Sequence, residues 1–143
     1  MFWVTRIGAS LICGVSRTLE AAQVRLRIEY YDQNESFAAQ LPRSGAVSGT
    51  YFDANGVGPW FLVDLDEPMQ YQLKVGEPFQ FRGLQVDAFL IRSRWQGKDV
   101  GDPDGTSVFI LLVEAGCHPT NSVIDPKAYV HVAWGNAVPQ SAG

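Results

Sequence analysis

Val108-Phe109-Ile110-Leu111-Leu112-Val113 is apolar at every position. Successive side chains of an extended strand point to opposite faces, so such a run has no face to offer to water. It suits a central strand covered on both sides, or a barrel strand whose outer surface also meets a partner. It is far too short for a membrane-spanning helix, which needs about 20 apolar residues. Any fold this chain adopts must place apolar surface against both faces of this one strand. The N-terminal segment or a second subunit is the expected cover for the outer face.

The other informative runs are half-buried strands. Leu26 and Ile28 alternate with Arg25, Arg27 and Glu29, and Phe61, Val63 and Leu65 alternate with Leu62, Asp64 and Asp66, with Pro68 closing that strand. Leu84, Val86, Ala88 and Leu90 fill one face of a run that continues to Trp95. Weaker strands are expected over residues 46–52, 71–81 with a break at Gly76, and 128–134. Gly and Pro punctuate the spaces between, and Asp53-Ala54-Asn55-Gly56 holds the Asn-Gly pair that permits positive φ in a tight turn. Short strands with turn signals at this spacing read as an all-β barrel or sandwich. The expectation is a mainly β, single-domain small barrel or curved β-sandwich spanning residues 1–143. It has seven or eight strands, at most one or two short helices, and a loose tail from Pro139. Phe61, Val63, Leu65, Val86, Leu90, Ile110 and Leu112 form its expected core. Helical spacing occurs only around Leu11, Ile12, Val15, Leu19 and Ala22, giving a short helix near residues 15–22. A chain of 143 residues buries enough surface to need no disulfide or metal staple.

Charge bears on partners. Fifteen acidic against eleven basic residues leave a net charge of -4, so a whole-domain basic footprint for nucleic acid is absent, and no apolar stretch is long enough for a membrane helix. The expected partners therefore include neither nucleic acid nor membrane. Charged residues make up only 18%, below the usual quarter or so. With four Trp, five Tyr and eight Phe, this leaves apolar surface that points to a homodimer, the commonest closed assembly. Residues 1–28 carry four arginines against one glutamate. Scattered charges of this kind fit docking on the chain's own acidic body better than a polybasic patch. The N-terminal stretch offers no small-x-small cleavage site, which favours the cytoplasm. Cys13 and Cys117 read as a buried small hydrophobe and a loop thiol, with a bridge between them left open.

Most familiar chemistries are not encoded. Cys13, Cys117, His118 and His131 lack paired zinc spacing. Asp102-Pro103-Asp104-Gly105, set in a calcium-loop register, puts Val100 and Leu111 where acids are required, so it reads as a turn. Gly14-Val15-Ser16-Arg17-Thr18 misses the second glycine of a nucleophile elbow. No phosphate loop or dinucleotide fingerprint occurs, and no cofactor or metal is implied. Asp64 and Asp66, about 6.5 Å apart along one strand face, could serve as acid and base. Their alternation with core residues makes a solvated face the plainer reading. His131, which parity places on one face with Tyr129 and opposite Trp134, is the lone strand histidine.

Arg92 and Arg94 are the sharper anomaly. They keep the parity of Leu84, Val86, Ala88 and Leu90, so one strand face turns from apolar to guanidinium, with Trp95 and Lys98 nearby. Paired guanidiniums bind carboxylate or phosphate through fixed forks of donors, so a cavity with this rim would take a small amphipathic anion. Asp64 or Asp87 is the alternative partner for those forks. A bulge that swaps parity, or a strand end running into solvent, is the plainer reading.

Val63-Asp64-Leu65-Asp66-Glu67-Pro68 followed by Phe89-Leu90-Ile91-Arg92-Ser93-Arg94-Trp95-Gln96-Gly97 resembles short orphan β-proteins carried on integron gene cassettes. The resemblance covers about residues 60–115 and implies a small cytoplasmic, often self-associating protein with no catalytic residues to carry over. Three functions compete. The first is a non-catalytic binding or interaction protein that self-associates. The second is a small-ligand barrel binding an amphipathic anion at Arg92, Arg94, Trp95, His131 and Asp64. The third is a hydrolase or isomerase using carboxylates or His131.

Overall fold

The computed structural model describes residues 24–30, 35–78, 80–95 and 99–140. The helix expected near residues 15–22, together with Cys13 and Lys98, lies outside them. Seven strands are present among the described residues: β1 (Arg25–Tyr30), β2 (Arg43–Asp53), β3 (Trp60–Val75), β4 (Gln80–Ser93), β5 (Thr106–Glu114), β6 (Val123–Ile124) and β7 (Val130–Gln140). One four-residue helix, α1 (Glu35–Ala38), and a 3-10 turn at Pro126–Ala128 complete the set.

The strands run in the order β1-β7-β5-β4-β3-β2, all antiparallel, and β1 pairs back onto β2. The ring is closed, so the fold is a six-strand barrel and not a sandwich, and closure removes the free edges that sheets must otherwise protect. The two-residue β6 adds parallel to the end of β2. Closure brings backbones close at two glycines. A Cβ on Gly45 would lie 2.3 Å from the Asp64 carbonyl oxygen, and one on Gly135 would lie 2.2 Å from that of Glu29. Gly56 (φ 77°) and Gly105 (φ 90°) sit in the two turns legible in the sequence, with Gly56 N–H donating to Asp53 and Gly105 N–H to Asp102.

The barrel interior holds Leu26, Ile28, Val63, Met69, Leu84, Val86, Phe89, Ile91, Val108, Ile110 and Leu112. Phe37 from α1 joins it, fully buried, with its ring edge-on to Phe89 at 5.7 Å. A second cluster lies outside the barrel wall: Trp60, Leu62, Ala88, Leu90, Leu111, Val113 and Ile124. β5 thus buries both faces, as its unbroken apolar run requires. Among the described residues, part of the cover for its outer face comes from the chain's own strap between β5 and β7. That strap is tied down at Ala115 N–H, which donates to Gln85, at β6 with Phe52 N–H donating to Ser122, and at Ile124, which packs into the second cluster.

Register shifts in the ladders decide which residues face out. The β4–β5 ladder skips between Val86 and Ala88. An extra residue in a strand reverses the facing of everything after it, so Leu84 and Val86 point inward while Ala88 and Leu90 point outward. Leu90 is buried as expected, but in the outer cluster. The β3–β4 ladder breaks between Asp64 and Met69. β3 therefore runs on through Pro68, which does not close the strand but sits in the unpaired stretch where its missing N–H leaves no ladder bond unmade. Phe61 and Leu65 are partly buried against the interior. Pro139, where a loose tail is expected, pairs with Leu26 inside β7. Among the described residues no helix is long and apolar enough to cross a membrane.

Candidate functional site

On the outer wall, cross-strand register aligns one row of side chains. Phe61 pairs with Ile91, Arg92 with Phe109, and Phe109 with Trp134, so Trp60, Arg92, Phe109 and Trp134 follow one another across β3, β4, β5 and β7. The strap stops short of this row, and the gap is a cavity of about 490 Å³. Trp60, Arg92, Phe109, Leu111 and His131 form its floor and wall, and Pro126, Lys127 and Tyr129 of the strap its rim. No acidic residue lines it. This volume falls in the range of small-molecule sites.

Arg92 is half-buried between two rings. Its guanidinium carbon lies 5.2 Å from the Trp60 ring centre and 5.0 Å from that of Phe109. Its Nε is buried without an acceptor, and so is the indole Nε1 of Trp60, a residue only 5% exposed. A buried donor left unmade costs about 1–3 kcal/mol, against about 0.5–2 kcal/mol from a cation over an aromatic face. Arg92 is therefore held by rings and not by an acid. The other described arginines differ: Arg25 pairs with Asp66, Arg27 with Glu29, Arg43 with Glu67 and Arg82 with Glu114. Among the described residues only Arg92 and Arg94 have no carboxylate partner.

Arg94 continues the same face. Its guanidinium carbon sits 4.0 Å from the Trp134 ring centre, 5.0 Å from Trp95 and 5.9 Å from Phe109, and Nη1 donates weakly to Ser107 Oγ at 3.4 Å. Trp134 reaches this row because the β5–β7 ladder skips between Ile110 and Leu111: Ile110 pairs with Ala133 and Leu111 with His131. The shift puts His131 and Trp134 on one face, where strict alternation separates them. The His131 ring is 6.4 Å from that of Phe109.

Behind the strap lies a second polar group. His118 Nε2 donates to Asp87 Oδ1 at 2.6 Å, and its Nδ1 is 4.0 Å from Asp64 Oδ1. Burial first, then the Asp64 carboxylate and Tyr129, raise the Tyr51 phenol above its ordinary 10. Burial first, then Cys117, raise Tyr129. All three members of the His118 group are more than a third exposed, which makes this a clasp holding the strap on β3 and β4.

The chain matches no protein-family model, no curated protein and no solved structure. Its chemistry is therefore read from the residues themselves. Arg92 and His131 line the cavity, and Arg94 and Trp95 flank it. Asp64 is elsewhere, beside His118 and Tyr51, and Asp66 is taken by Arg25, so the two aspartates do not converge as an acid–base pair. Neither Asp64 nor Asp87 reaches the arginines, because the bulge after Val86 and the strap between them turn those carboxylates to His118. Sequence reading missed Trp60, Phe109, Lys127 and Tyr129 as lining residues. Trp60, Phe109 and the strap lie far apart in sequence; the local signals are that Phe109 and Leu111 must face outward if β5 is covered on both sides, and that parity puts Tyr129 on the face of His131.

Proposed function

We propose that this protein is a non-catalytic binding domain whose outer-wall cavity takes a small amphipathic anion with a flat apolar body. The observation that carries the reading is Arg92. Its buried Nε has no acceptor, in a cavity that contains no acid. A carboxylate or phosphate in the cavity would pair with the guanidinium fork, which no acid among the described residues engages, through charge-assisted bonds, and Trp60, Phe109, Leu111 and Tyr129 would cover the ring. Lys127 and His131 add cationic or donor groups at the mouth. The nearest histidine–carboxylate group, His118 with Asp87, faces the far side of the strap, and nothing in the cavity pairs a nucleophile with a base. The resemblance to integron-cassette β-proteins, which implies no catalytic residues, agrees with this reading.

Naphthoate is a suitable probe, with its neutral amide as control. The acid should raise the unfolding temperature in a concentration-dependent way, and the amide should not. R92A should weaken naphthoate binding at least about tenfold, the value of one charge-assisted contact. Equal binding of acid and amide, or an R92A variant that binds as wild type, refutes the reading. Self-association is a second reading, favoured by Phe52 (42% exposed), Val57 (42%) and Val123 (56%), large apolar side chains gathered around the β2–β6 pair. Sedimentation of a dimer that V123D converts to a 15.8 kDa monomer supports it, and a wild-type monomer at tens of micromolar overturns it.

A further inference from the structure

The cavity is one end of a longer surface. Beyond Arg92 and Phe109 the same face carries Arg94 against Trp134, with Trp95 alongside. We propose that this face binds single-stranded nucleic acid. One base enters the cavity beside Trp60 and Arg92, and the next stacks at Trp134 and Trp95. The inference rests on the cavity being an anion site and names the polymer that supplies the anion.

Three observations carry it. Rings and guanidiniums alternate across the wall, Trp60–Arg92–Phe109–Arg94–Trp134. Sequence-tolerant recognition of single strands combines cationic groups along the backbone with aromatic faces for the bases, and guanidinium planes serve as stacking surfaces too. Next, Arg92 lies near the end of β4 and Arg94 just past it, and both guanidiniums approach the Phe109 ring, at 5.0 and 5.9 Å from its centre, so two cationic groups stand side by side along the wall. They are also the two described arginines without a carboxylate partner, so their charge is open to phosphate. Finally, Trp95 is 56% and Trp134 37% exposed, which leaves ring surface for a base. The net charge of -4 does not oppose this. It is a sum over the whole chain, whereas the cavity is lined by Arg92, Lys127 and His131 and by no acidic residue. A duplex, with its bases already stacked, would not fit.

The test is fluorescence anisotropy of a labelled oligothymidylate of about 12 nucleotides with the full chain, alongside thymidine monophosphate, the matching duplex and phosphatidylserine vesicles. The oligonucleotide should bind at least tenfold tighter than the monophosphate or the duplex and quench tryptophan fluorescence. Its affinity should fall between about 50 and 200 mM salt with a log–log slope near -1.4 to -2, the value for two to three phosphates on a single strand. W134A and R94Q should each weaken it at least about fivefold while leaving naphthoate binding within twofold. R94Q, which removes charge but keeps the size of the side chain, serves if W134A fails to fold. R92A should weaken both probes. Three results overturn the inference: an oligonucleotide bound no tighter than the monophosphate, equal duplex binding, or preference for the vesicles. Naphthoate bound without the oligonucleotide removes the strand inference alone; neither bound removes the cavity reading as well.

Discussion

Replacing Arg92 with methionine should make the unliganded protein more stable. The wild-type residue holds a buried Nε with no acceptor, a penalty of about 2 kcal/mol at the middle of the usual range. Its two ring contacts, at 5.2 and 5.0 Å, return together about 1 kcal/mol at a half-buried site. Methionine keeps a long flexible side chain between Trp60 and Phe109 and makes favourable sulfur–ring contacts of its own, so little packing is lost. The net expectation is a gain of about 1 kcal/mol, or roughly 3 °C in Tm for a chain of this size, together with loss of naphthoate binding. Urea unfolding followed by far-ultraviolet circular dichroism measures it, with the gain read as a higher midpoint at unchanged slope. Stability gained where binding is lost marks a residue kept for function. An R92M protein less stable by 1 kcal/mol or more would show that the guanidinium holds the wall together. The orphaned Nε would then cost less than the ring contacts return.

Three further outcomes follow from the packing. I124A removes the strap's contribution to the outer cluster, where Ile124 is 6% exposed, and should cost about 2–4 kcal/mol; a loss under 1 kcal/mol in chemical denaturation would mean that the strap does not seal that face. G135A places a Cβ 2.2 Å from the Glu29 carbonyl at the β1–β7 seam and should cost about 3 kcal/mol, whereas G83A meets only the flexible Gln72 side chain at 3.5 Å and should be neutral or slightly stabilising; similar unfolding midpoints for the two variants would contradict the closure geometry. Tyr51 and Tyr129 hold their protons more tightly folded than unfolded. Their contribution is therefore complete below about pH 10 and is lost as pH rises through the raised folded values, so the urea midpoint should fall above pH 10 and fall less in the Y51F/Y129F double variant, and superimposable curves would refute that assignment.

Local sequence carried the class of the fold. Period-two burial at Leu26 and Ile28, the turns at Gly56 and Gly105, and the doubly covered strand Val108–Val113 all follow from how one segment meets water and how its own backbone can bend. None of these depends on knowing a partner strand. The outward set of Arg92, Arg94 and Trp134 does. A strand's facing is set by counting residues in twos, and one bulged residue reverses the count. The bulge after Val86 moved Ala88 and Leu90 to the outer wall, so the two arginines share their parity with those residues, as the sequence indicates, yet lie outside the barrel. The shift opposite Ile110 then brought Trp134 onto the face of His131. Bulges answer to ladder closure around the whole ring, a property no window of neighbouring residues contains. Trp60, Phe109 and Lys127 meet Arg92 only once β3, β4, β5 and the strap are placed side by side, and it is that placement which set Arg92 in a cavity with Arg94 at its flank.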